Sequence, residues 1–138
     1  MAILLDSDET GGGEASTLLN PKEDQMPTND RLHRARESYR AYESGDRRVL
    51  EELLSEDFTF YSPPDPGIDR ATYFERCWPN AATIEAYEFT RLVEAGDEVV
   101  VTYEARKTDG RRFRNTEVLT FDGDRICRAE VYFGWNLD

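Results

Sequence analysis

Alternation between apolar and polar residues is clearest in the last third of this chain, where two period-two runs flank Asp122-Gly123-Asp124. One face of the first run carries Phe113, Asn115, Glu117, Leu119 and Phe121; one face of the second carries Cys127, Ala129, Val131, Phe133 and Trp135. Strand side chains point alternately to opposite faces, so each set lines one side of a sheet. The two faces coincide only across a loop with an odd number of residues. This predicts a three-residue turn, Asp122 to Asp124, with Gly123 left-handed, Leu119 opposite Cys127 and Phe113 opposite Phe133. The shared wall is apolar except at Asn115 and Glu117. A polar group there is costly unless it is paired, hydrated or used by a ligand, which makes this wall the first place to look for function.

Upstream the period lengthens. Thr28, Asn29 or Asp30 can cap a helix that runs to Ser44, with Leu32, Ala35, Tyr39 and Tyr42 on one stripe and Gly45 in the terminal position that favours glycine. A shorter helix is expected over Arg47 to Leu54, then a strand over Phe58 to Ser62 that Pro63 and Pro64 end, then a loop from Pro63 to Gly67. Asp69 caps a third helix, Arg70 to Trp78, stopped by Pro79-Asn80. Strands are expected near Ile84–Val93, Val99–Lys107, Arg112–Phe121 and Ile126–Trp135. Early helices followed by an antiparallel run make the chain α+β. Residues 1–25, with Gly11-Gly12-Gly13, scattered acids and no sustained period, are expected to be a disordered extension ahead of a single domain, 26–138.

Composition narrows the function classes. The 138 residues suffice for one core. A net charge of -12 repels nucleic acid and anionic membrane, so neither is expected as a partner. No apolar run spans a bilayer, and the first residues lack a basic leader, so a cytoplasmic location is expected. Cys77 and Cys127 lack metal-type spacing and read as reduced core thiols. His33, the only histidine, sits among arginines and reads as a surface residue; no metal set, phosphate loop or cofactor motif is found.

The segments Tyr39-Arg-Ala-Tyr-Glu-Ser-Gly-Asp46, Leu53-Leu-Ser-Glu-Asp-Phe58, Phe121-Asp-Gly-Asp-Arg-Ile126 and Glu130-Val-Tyr-Phe-Gly134, in this order of elements, resemble the nuclear transport factor two, ketosteroid isomerase and SnoaL-like superfamily. The resemblance implies a cone: a curved mixed or antiparallel sheet wrapped around three N-terminal helices, enclosing a pocket for a small, largely apolar organic molecule. It also implies a homodimer formed through the outer sheet face. The superfamily hosts isomerases, cyclases, dehydratases, hydrolases and binding modules, so the fold does not fix the reaction. Where ketosteroid isomerases carry a carboxylate base at the end of the first strand, this chain has Ser62. Their oxyanion-binding tyrosine falls near Ser38, one residue from Tyr39, and their protonated acid falls at Glu117. The last aspartate of limonene epoxide hydrolases corresponds to Val131.

Glu117 is therefore the candidate catalytic residue: desolvation among Phe, Leu and Val would keep its carboxyl protonated and able to donate a hydrogen bond or transfer a proton. The competing reading pairs it with Arg106 or Arg114, or a buried water, and makes it purely structural. Tyr39, Phe60, Ser62, Trp78, Asn115, Phe133 and Trp135 are the candidate ligand-binding residues, with Ser62 and Asn115 as polar contacts and the aromatics as walls. Asp65 reads first as a turn residue. The functional expectation is a small-molecule-binding domain, with proton transfer at Glu117, or else a binding module without chemistry, or a scaffold whose interior its own side chains fill.

Overall fold

The computed structural model describes residues 30–137, so the expectation for residues 1–25 lies outside the described residues. Asp30 is the cap of the first helix, α1 (Arg31–Ser44); its Oδ1 accepts from the backbone N–H of Leu32 at 2.8 Å and of His33 at 3.3 Å. These are orphan donors of a first turn. Gly45 closes α1 at φ 72°, as the glycine signal predicts. Then come α2 (Arg47–Leu53), β1 (Leu54–Ser62), β2 (Asp65–Asp69), α3 (Arg70–Arg76), a 3-10 turn (Trp78–Thr83) and four long strands: β3 (Ile84–Ala95), β4 (Glu98–Lys107), β5 (Arg112–Asp122) and β6 (Arg125–Asn136).

The six strands form one open, curved sheet in the order β2-β1-β6-β5-β4-β3, with β1 and β6 parallel and all other neighbours antiparallel. The helices cover one face, and the core lies between. Leu32, Ala35, Tyr39 and Tyr42 of α1 meet Val99, Val101, Tyr103, Phe113 and Leu119 of the sheet there, all at or below 9% exposure. The expected α+β cone is present, with its sheet unclosed.

Three local expectations are corrected. The segment after Ser62 is not a loop through Gly67, because only Pro63 and Pro64 turn. Asp65–Asp69 then pairs with β1 as the edge strand, the one place where Pro66 can lack a ladder donor. The third helix ends at Arg76 and its last turn becomes 3-10. The β5–β6 register also differs. Asp122 faces Arg125, so the turn holds two residues, Gly123 and Asp124, with Gly123 at φ 64°. The odd residue is supplied within β6 instead, since Phe121 pairs with Ile126 and Thr120 with Arg128, leaving Cys127 as a bulge. Leu119 therefore faces Ala129, and Phe113 faces Asn136. Cys127 is a half-buried free thiol rather than a core one, whereas Cys77 is free and buried.

Candidate functional site

A second irregularity in β6 shapes the site. Asn115 pairs with Phe133 and Arg114 with Trp135, so Gly134 is an extra residue. A Cβ at Gly134 would lie 2.0 Å from the Arg114 carbonyl oxygen, which only glycine permits. The shift keeps Phe133 packed against the core but sends Trp135 to the outer face. There it is 38% exposed, with the Arg114 guanidinium 5.2 Å from the centre of its ring. The predicted wall therefore splits: Trp135 does not join Phe133.

Asn115 and Glu117, side by side on the inner face of β5, are both fully buried. The freed N–H of the Gly134 bulge donates to Asn115 Oδ1 at 3.1 Å. That fixes the amide orientation, and Nδ2 donates to the Tyr103 hydroxyl at 3.4 Å. Tyr103, opposite Asn115 in the ladder and diagonal to Glu117, then donates its own proton to Glu117 Oε2 at 2.7 Å. An aromatic side chain can reach a diagonal neighbour in this way. The donors run in one direction, from the β6 backbone to the carboxyl.

Burial drives the Glu117 pKa above the ordinary carboxyl value; the Tyr103 and Tyr39 hydroxyls, which favour the anion, offset only part of that. Burial likewise holds the Tyr39, Tyr87 and Tyr103 phenols well above their usual value, with the nearby Glu117 charge adding to it. The Tyr39 hydroxyl bears on Glu117 electrostatically but makes no hydrogen bond of normal geometry among the described residues. The arginine pairing alternative is not realised. Arg114 binds Glu104 and Arg106 binds Glu85, both ion pairs well removed from the inner wall.

Aromatic rings cluster on the same inner face. Tyr39 stands 5.1 Å from Tyr87, 5.4 Å from Phe89 and 5.3 Å from Tyr103, mostly edge to face. Phe60 packs on Tyr73 at 4.9 Å, Trp78 on Tyr42 at 5.0 Å, and the Tyr42 and Tyr73 hydroxyls share a 2.6 Å hydrogen bond. Ser62, at the inner end of β1, donates to Asp65 Oδ2 at 3.0 Å, and Arg76 Nη2 lies 2.8 Å from Asp65 Oδ1. Asp65 is thus a buried, charge-paired carboxylate and more than a turn residue.

Of the predicted residues, Tyr39, Asn115 and Glu117 converge, with Phe133 beside Asn115 in the ladder; Phe60, Ser62 and Trp78 line the β1–α3 side; Trp135 is outside. Sequence reasoning missed Tyr103 and the Asp65–Arg76 pair. Tyr103 was within reach: Val99, Val101, Tyr103 and Ala105 alternate, and a turn at Thr108-Asp109-Gly110 sets them against the Asn115 and Glu117 face. No group of three or more potential metal ligands occurs among the described residues.

Residues 35–129 match a protein family described as SnoaL-like domain. No curated protein is significantly similar in sequence. Among solved structures, the chain is similar to a nuclear transport factor two-like protein of unknown function from Burkholderia pseudomallei, with a TM-score of 0.58, 22% identity, and 79% of this chain and 92% of that one covered. It is also similar to a proposed ketosteroid isomerase from Kribbella flavida, with a TM-score of 0.63, 18% identity, and 76% and 78% covered. A de novo designed protein with a curved β-sheet scores 0.67 at 14% identity, covering 79% and 88%. Such identities establish the fold alone, and a fold does not fix a reaction.

Proposed function

The chain belongs to the SnoaL-like domain family, and from that premise we propose that it binds a small, largely apolar organic molecule beside Glu117 and assists a proton transfer on it. The observation that carries this reading is a fully buried carboxyl, raised in pKa by desolvation and held by a directed chain of donors. A neutral carboxyl can donate to a carbonyl oxygen and stabilise the enol or enolate formed when an adjacent carbon loses a proton. The proposed isomerase, cyclase or lyase chemistry is of this type. A homodimer in the cytoplasm is part of the same reading. Exposed Tyr132 and Trp135 on the outer face supply apolar contact area for a second copy, and no described helix is long and apolar enough to cross a membrane.

A second reading is favoured by the rings around Tyr39, which fill much of the space near Glu117: the domain binds without chemistry, or serves as a scaffold. A thermal-shift screen of small steroids, polyketide-like aromatics, terpenoids and enones on wild type and Glu117→Gln separates the readings, because a ligand for the native state raises its melting temperature. Hits with pH-dependent turnover that Glu117→Gln abolishes support catalysis. Hits that persist in Glu117→Gln with no turnover support a binding module, and no shift in either protein refutes ligand binding for these classes and leaves the scaffold.

A further inference from the structure

The outer face of the sheet carries one row of side chains across four strands: Arg91 on β3 pairs with Thr102 on β4, Thr102 with Thr116 on β5, and Thr116 with Tyr132 on β6. In the adjoining row Arg114 pairs with Trp135. Tyr132 and Trp135 thus face β5 positions two residues apart, about 7 Å along the strand. Between them Phe133 packs on the core and Gly134 has no side chain, so no side chain projects outward there. The result is a groove of about 300 Å³ lined by these residues, at the small end of the size range of ligand sites.

Its two ends differ in chemistry. At the β6 end the exposed Tyr132 and Trp135 rings stand on either side of the gap, whose width of about 7 Å admits one flat ring in contact with both, at about 3.5 Å on each side. At the β3–β4 end Arg91 is exposed and forms neither a hydrogen bond nor an ion pair with any described residue. Acids outnumber basic residues 29 to 17 in this chain, so a guanidinium left unpaired amid that surplus is open to an anion from outside. The neighbouring carboxylates are already taken, Glu104 by Arg114 and Arg112, and Glu130 by Arg128. Between Arg91 and Tyr132 the Thr102 and Thr116 hydroxyls share a 2.8 Å hydrogen bond, and whichever of them donates in it, the other keeps a proton to give.

We propose that this groove is a binding site for a small aryl carboxylate, its ring held between Tyr132 and Trp135 and its carboxylate accepting from Arg91 and the threonine hydroxyls. The hydroxyl pair lies one to two strand spacings from β6, about 5–10 Å, so the acid that fits carries a short spacer between ring and carboxylate, as in an arylacetate or a cinnamate. The site is on the opposite face of the sheet from Glu117 and does not depend on the reading given for the interior. Tyr132 and Trp135 also belong to the face assigned to a second copy, so the acid and that copy compete for the same contact area.

The test is calorimetric titration with trans-cinnamate and with the neutral cinnamyl alcohol, in protein dilute enough that light scattering shows a monomer. Wild type is expected to bind the acid about 10-fold more tightly than the alcohol, the value of a charge-assisted hydrogen bond. Arg91→Gln should remove that preference while leaving alcohol affinity unchanged, and Trp135→Ala should weaken acid and alcohol alike. Glu117→Gln, on the other face, should alter neither. A preference for the acid that survives in Arg91→Gln overturns the proposal. Loss of cinnamate binding in Glu117→Gln would put the acid in the interior, which overturns this site and supports the interior reading. If cinnamate does not bind wild type, this site falls and the reading of the interior is untouched.

Discussion

Replacing Glu117 by glutamine removes the titration of the carboxyl on the inner wall while preserving side-chain shape and the ability to accept from Tyr103. In the folded protein the Glu117 pKa lies above its unfolded value, because desolvation outweighs the phenol donors. Between the two values the native state binds more protons than the unfolded state, so stability falls as pH rises. The contribution is fully present below the unfolded value, near pH 4.3. It is lost progressively up to the folded value and stays lost above it. Each unit separating the two corresponds to about 1.4 kcal/mol, which for a domain of this size is a melting-temperature change of roughly 4–6 °C. Wild type and Glu117→Gln should therefore melt within a few degrees of one another near pH 4, and the glutamine variant should gain relative to wild type from pH 5 upward. The assay is paired thermal unfolding of the two proteins from pH 4 to pH 8, with the difference plotted against pH. A flat difference, or one in which wild type gains with rising pH, refutes the argument that burial dominates this carboxyl.

Three further outcomes follow from the same geometry. Tyr103→Phe deletes the donor to Oε2 that favours the anion, so the Glu117 pKa should rise further and the stability decline extend to higher pH, at a cost of about 1 kcal/mol; carboxyl carbon NMR titration reads it directly, and an unchanged or lower value contradicts the assignment. Gly134→Ala forces a methyl group against the Arg114 carbonyl and should destabilise by about 3 kcal/mol or more in chemical denaturation, since backbone cannot move aside as a side chain can; a loss below about 0.5 kcal/mol would mean that the bulge is not needed. Trp135→Ala, on the exposed face, should leave monomer stability within about 1 kcal/mol but weaken self-association measured by light scattering with size-exclusion chromatography; unaltered self-association removes Trp135 from the proposed dimer face.

What the sequence determined by itself was the set of local choices. A cap within Thr28 to Asp30, the Asp69 cap, the glycine at the end of α1, the order of the elements and the inward placement of Asn115 and Glu117 rest on short-range physics: unpaired first-turn donors, left-handed backbone and side-chain alternation. The family signature is also local, and it led to the right fold. Tertiary structure alone decided the register and the company of each polar group. An odd residue can sit in a turn or in a bulge with equal effect on which face is buried, so alternation did not distinguish a three-residue loop from the bulge at Cys127. The second bulge, at Gly134, broke the alternation outright and moved Trp135 across the sheet, because Gly134 has no side chain to mark its face. Glu117 was legible as a buried carboxyl, but its partner was not. The partner depends on a diagonal reach from β4, and the two nearby arginines assigned to it by sequence proximity alternate onto the opposite face. Asp65 looked like a turn residue until the β1–β2 pairing buried it against Ser62 and Arg76, contacts set by how α3 packs over the sheet edge.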